Sequence, residues 1–242
     1  MLTPTTLSII ASVLLGRRRS FASDSAAMVA RLHPPLHVEG SIPDLSGAAS
    51  LVIVNHYYRP GFEAWWIPLS ISSMIQSEIH WTMTSTWRFE DQPYLRWLSP
   101  LLKKLFRRIA AVYGFTNMPP MPPSIEETEQ RARAVRQVLR HVVTQPEAII
   151  GMAPEGHDSP DGRLIVPPSG VGRFVCHLAK HEMRLLPMGV YESGGRLCLH
   201  IGTPMALPLL QGTPVERDRE MRDLLMKAIA ECLPAHLRGA YA

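Results

Sequence analysis

The chain has 242 residues, 46% of them hydrophobic, enough to bury one sizeable core and to build one α/β domain. Its net charge of +4 and pI near 9.1 are mildly basic, which favours anionic partners such as phospholipid headgroups or an acidic carrier protein. No nucleic-acid partner is expected. The three cysteines, Cys176, Cys198 and Cys232, are far apart, which excludes a zinc or dithiol motif and fits a reducing compartment.

Residues 1–37 read as an N-terminal apolar and basic segment, and 38–242 as the main domain. Leu2 to Leu15 is apolar, and Arg17, Arg18 and Arg19 follow. The stretch is shorter than the roughly 20 apolar residues a membrane span needs, and it lacks the basic start of a secretory signal. Two readings stay open: a surface anchor with its arginines at headgroup level, or an apolar helix packed on the body.

Leu51 to Val54 is a short β-branched run, as in a strand covered on both faces. It ends in Asn55-His56, two polar residues at the strand end where α/β sheets bind ligands. A helix is expected from about Pro60, with Phe62, Trp65, Trp66 and Leu69 on one side. Ile79 to Thr84 is a second strand candidate. Leu101 to Ala111 is an amphipathic helix whose basic face carries Lys103, Lys104, Arg107 and Arg108.

Pro119 to Pro123 reads as a stiff connector. Ser124 to Glu127 is a capping box opening a helix. Ala148 to Ile150 is a third strand, running into Gly151-Met152-Ala153-Pro154-Glu155-Gly156. Residues 170–181 look helical, and Leu185 to Val190 and Leu197 to Ile201 are strands. Thr213 caps a last helix with Pro214 in its first turn. Strands alternating with helices predict a single α/β domain, a mixed and largely parallel sheet flanked by helices.

Three blocks carry chemistry: Val54-Asn55-His56, then Ala153-Pro154-Glu155-Gly156-His157-Asp158-Ser159, then Leu186-Pro187-Met188-Gly189-Val190. In order and spacing they resemble the phospholipid/glycerol acyltransferase family, which includes lysophosphatidic-acid acyltransferases. That family has an Asn-His-x-x-x-x-Asp block, a Phe-Pro-Glu-Gly-Thr-Arg-Ser block about a hundred residues on, and a Val-Pro-Val-type strand. The resemblance runs from about residue 38 to the end of the sequence.

It implies transfer of a fatty acyl group from acyl-CoA or acyl carrier protein to a hydroxyl or amine of a lipid-like acceptor. The protein would be peripheral, on the cytoplasmic face of a membrane. His56 would be the general base, since imidazole titrates near neutrality. Glu155, Gly156 and Asn55 would form the acceptor site. No organic cofactor is implied. No metal is expected either: His177 and His181 are four apart on a predicted helix, but no Glu follows His177 as zincin-type sites require.

The sequence departs from the family in three places. Gly61 stands where the family has its Asp, and the nearest acid is Glu63, the candidate replacement. His157 and Asp158 stand where the family has Thr and Arg. Val112 to Met118 lacks the Arg of the family's second block. In the family those arginines are associated with the acceptor's phosphate, so a less anionic acceptor is expected. The missing Asp also supports an alternative, a catalytically inactive relative that binds lipid or an acyl carrier. The five tryptophans, at 65, 66, 81, 87 and 97, suit a membrane interface, an acyl-chain wall or plain core packing.

Overall fold

The structure is a computed structural model and describes residues 3–86, 93–120, 125–157 and 159–242. In chain order these form α1 (Pro4–Leu15), α2 (Phe21–Val29), β1 (His37–Glu39), β2 (Ser50–Val54), α3 (Trp66–Met74), β3 (Ile79–Thr84), α4 (Ser99–Tyr113), β4 (Thr116–Met118), α5 (Ile125–Thr144), β5 (Ile149–Met152), α6 (Val171–Ala179), β6 (Arg184–Ser193), β7 (Arg196–Ile201), β8 (Met205–Ala206) and α7 (Pro214–Glu231). A short 3₁₀ turn, Pro93–Leu98, precedes α4, and two more follow α7.

The strands make one sheet in the order β1-β7-β6-β2-β5-β3-β4, with β8 paired to the start of β6. Pairing is parallel from β6 through β2, β5 and β3 to β4. It is antiparallel only where β7 and β8 meet β6. This is a single α/β domain with a mixed, largely parallel sheet and flanking helices.

β2 is central and every one of its five residues is buried. An unbroken apolar strand can be accommodated only if helices cover both faces, and the core does cover it on both. From β2 the chain crosses to β3 and β4 and comes back to β5; it then crosses β2 to β6. The C-terminal end of β2 therefore lies where chain direction reverses, the place such sheets leave open for ligands.

Two glycines set close approaches. Gly151 in β5 sits opposite Trp81 of β3, and a Cβ there would stand 2.5 Å from the indole. Gly172 in α6 lets α7 come so near that a Cβ would meet the Asp218 carbonyl at 2.0 Å. Buried Asp218 completes that contact: its Oδ1 accepts the backbone N–H groups of Gly170 and Arg173, both at 2.9 Å, at the start of α6. Anionic caps of this kind satisfy donors a helix start leaves open.

The N-terminal segment holds two helices, of which α2 packs on α3 and α1 on α4. Arg19 forks onto Asp24, Nε at 2.7 Å and Nη2 at 2.5 Å. The Tyr113 hydroxyl of α4 donates to the same carboxylate at 2.9 Å. On β3, buried His80 stacks on His141 of α5, ring centroids 4.2 Å apart, with its Nε2 2.8 Å from the Thr116 hydroxyl.

One expected element differs. The helix expected from Pro60 begins at Trp66 instead. Gly61 takes φ +81°, a left-handed conformation that stops a helix from starting there. At the last helix, Thr213 and Glu216 form a full capping box. The Ser124 capping box, Trp87 and part of the Pro119–Pro123 connector lie outside the described residues.

Candidate active site

The loops that leave the C-terminal ends of neighbouring strands β2 and β5 carry the Asn55-His56 and Pro154-Glu155-Gly156 blocks, and the third block, Leu186–Val190, lies within β6 on the other side of β2. Asn55, just past β2, is 1% exposed. Its Nδ2 donates to the Val190 carbonyl at 2.9 Å and its Oδ1 accepts the Val190 N–H at 2.8 Å. The amide thus pairs with β6 as one more peptide of β2 would, two residues beyond the last strand register at Val54 and Met188. Both ends of the amide are engaged by Val190.

His56 follows, half-buried at the mouth of the sheet. Its backbone N–H donates to Glu155 Oε2 at 2.5 Å. Glu155 stands in the loop after β5 and is 1% exposed. Its other oxygen accepts the Ile165 N–H at 3.0 Å. One buried carboxylate therefore ties the His56 loop to the Glu155 loop and to the segment that follows it. A carboxylate suits this work, since a main-chain donor held away from water costs about 1–3 kcal/mol when left unsatisfied.

Gly156 is exposed and left-handed, φ +75°, and its N–H closes a turn onto the Ala153 carbonyl at 3.2 Å. Gly162 lets the two loops approach closely. It is also left-handed, and a Cβ on it would meet the Tyr58 carbonyl at 2.4 Å. Buried Ser159 holds the same loop, its Oγ 2.7 Å from the Arg163 carbonyl. Asp161 accepts the Arg163 N–H at 3.2 Å, and Ser159 chiefly holds its carboxyl below the usual range.

The expected residues divide into two groups. Asn55, His56, Glu155 and Gly156 meet at one end of the sheet, within the loops after β2 and β5. Glu63 lies on the His56 loop ahead of α3, exposed, and its carboxylate makes no hydrogen bond or ion pair with a described residue. Asp158 lies outside the described residues. The sequence reading missed Gly162, Ile165 and Glu192 as contributors. The first could have been suspected from the Asp161-Gly162 turn signal; the others are long-range partners with no local mark.

Arg59 lies three residues beyond His56. Its guanidinium forks onto Glu192 of β6, Nε to Oε2 and Nη2 to Oε1, the latter at 2.7 Å. Nη1 donates to the Pro60 carbonyl at 2.9 Å. Tyr57 is buried edge-on against Phe62, centroids 4.9 Å apart. Burial, and then the charge of Glu192, push its hydroxyl above its ordinary range.

The tryptophans do not form one belt. Trp81 is buried and donates to the Ser72 hydroxyl at 3.0 Å, whereas Trp65 and Trp97 face solvent. Among the described residues no group of three metal-ligating side chains comes together.

The largely parallel sheet with its flanking helices is an α/β fold shared with a solved acyltransferase. The chain is similar to the crystal structure of the 1-acyl-sn-glycerophosphate (LPA) acyltransferase PlsC from Thermotoga maritima. The TM-score is 0.51 at 15% identity, over 87% of this chain and 76% of that one. No protein-family model matches the sequence. No curated protein matches it either.

Proposed function

We propose that this protein is an acyltransferase that moves a fatty acyl group from acyl-CoA or acyl carrier protein to a hydroxyl or amine of a lipid-like acceptor. The observation that carries this reading is the placing of His56. Its ring is half-buried at the open end of the central strand, and the buried Glu155 carboxylate fixes its main chain.

In this reading His56 removes the proton from the acceptor as the acceptor's oxygen or nitrogen bonds to the thioester carbonyl. The C–S bond then breaks and the sulfur leaves with a proton returned by the imidazolium. Such general-base help is typically worth 10²–10⁴-fold. Glu63, on the same loop and uncommitted to any described residue, is the candidate for orienting the ring. Asn55, Glu155 and Gly156 shape the acceptor side.

The reaction belongs at a membrane surface. No helix among the described residues is long and apolar enough to cross a membrane. Yet α1 and α4, packed side by side and joined by Arg108 Nη1 donating to the Leu14 carbonyl at 3.1 Å, expose Leu7, Leu14, Leu15 and Leu101. Lys104, Arg107, Arg108, Arg17 and Arg18 are exposed on the same two helices and the turn after α1. Apolar side chains bordered by cations suit an anionic bilayer, with the protein peripheral on its cytoplasmic face.

A second reading, an inactive lipid- or carrier-binding relative, is favoured by Gly61 in the family's Asp position and by the exposure of Glu63. Incubating the purified protein with an acyl thioester and mixed lipid acceptors separates the two. Free thiol released only when acceptor is present is expected; no release above the no-enzyme control refutes the enzyme.

A further inference from the structure

We propose that the Arg59–Glu192 pair sets the charge of the acceptor, with Glu192 masking the cation nearest His56 in sequence so that the site takes lipids without a phosphate. The inference rests on the acyltransferase reading for its site and concerns which acceptor that site holds.

The geometry starts at Asn55. Its clasp on Val190 docks the loop after β2 along the part of β6 that runs on past the end of β2. Glu192 is two residues beyond Val190, and Arg59 is four beyond Asn55, so the fork falls one step outward along the same wall. Glu192 is mostly covered, its side chain 20% exposed, while Arg59 is half exposed.

A guanidinium recognises a phosphate with the same N–H edge it offers a carboxylate. In this protein that edge, Nε and Nη2, is already taken by Glu192, and Pro60 takes a third donor. Arg163, on the loop after β5, is likewise paired, with Asp161 at 3.5 Å. A phosphate entering beside His56 would have to displace Glu192 and then face its charge. An uncharged headgroup would not.

The test compares binding of two soluble acceptors, 1-hexanoylglycerol and 1-hexanoylglycerol 3-phosphate, by equilibrium dialysis. The wild-type protein is expected to bind the uncharged lipid at least as tightly. Glu192→Gln keeps the size of the side chain and frees the cation. It should move the binding ratio toward the phosphate ester about tenfold or more, as a charged hydrogen bond contributes. Arg59→Gln should weaken the phosphate ester without affecting the uncharged lipid. The double variant should return to the wild-type ratio. A wild-type preference for the phosphate ester, an unchanged ratio in Glu192→Gln, or no binding of either lipid overturns the proposal. A shifted ratio without acceptor-dependent thiol release would leave it standing and remove the acyl-transfer reading alone.

Discussion

Glu155 holds His56 by the main chain, its carboxylate accepting the histidine's backbone N–H at 2.5 Å. The acid holds the main chain, so the direction in which the imidazole leaves the strand depends on a residue about a hundred positions away in the sequence. The other carboxylate oxygen is committed to Ile165. Glu155→Ala should therefore strand two covered N–H groups at about 1–3 kcal/mol each. Glu155→Gln should strand one, because its amide turns a donor toward a donor. Urea midpoints should fall in the order wild type, Gln, Ala, and acyl transfer should fall with them. An Ala variant as stable as wild type would show that water replaces the carboxylate.

The role of Glu63 is open to a direct comparison. His56→Ala should abolish acceptor-dependent thiol release. Glu63→Gln should lower kcat, by up to on the order of 10⁴ if the acid orients the ring as in a serine-protease triad. A Glu63→Gln enzyme near wild type beside an inactive His56→Ala would mean that His56 works without it. If both variants match wild type, His56 is not the base.

Gly162 cannot gain a side chain without moving Tyr58, since its Cβ would stand 2.4 Å from that carbonyl. Its φ of +70° is also costly for any other residue, by roughly 1–2 kcal/mol. Gly162→Ala should lower the melting temperature by several degrees and reduce turnover more than the stability loss explains. Unchanged melting and turnover would mean that the two loops are not interlocked.

The core should respond to mild acid through His80. Burial, and secondarily His141, push its pKa down to about 4 from an unfolded value of 6.5. The folded state thus favours the neutral ring, and the unfolded chain binds the proton first. Stability should be full above pH 6.5 and fall as pH drops from 6.5 toward 4, by on the order of 3 kcal/mol. His80→Asn should flatten that slope in denaturant titrations at several pH values. A wild-type slope retained in the variant would place the proton elsewhere.

Vesicle sedimentation should show salt-sensitive binding to anionic bilayers, because each basic residue near such a surface adds about 1 kcal/mol at most. Reversing Lys103, Lys104, Arg107 and Arg108 together should release the protein. Sedimentation indifferent to that change would assign these residues to an ordinary solvated helix face.

Much of the framework was legible because it is written in local pattern. The apolar runs at Leu51–Val54 and Ala148–Ile150 suit covered strands, and Thr213-Pro214 suits a helix start. Short elements were not legible: β1, β4 and β8 have two or three residues each, too few for a period, and α2 is rich in Ser and Ala with no clear stripe. Pro60 read as a helix start because the sequence does not show that Gly61 turns left-handed. At the site, His56 and Glu155 were legible as chemical types. Their connection through a backbone nitrogen was not, nor was the pairing of Arg59 with Glu192, because each depends on where β6 runs relative to β2.

Asn55 carries a consequence of its own. Its side chain reproduces the two-way bonding of a peptide group, donor and acceptor together, at a fixed reach from Val190. Aspartate would lack the donor, serine would fall short, and glutamine would overshoot by a methylene. The identity of the residue before the histidine is thus dictated by folding before any substrate arrives, and drift at this position should be resisted even in a descendant that had lost its chemistry.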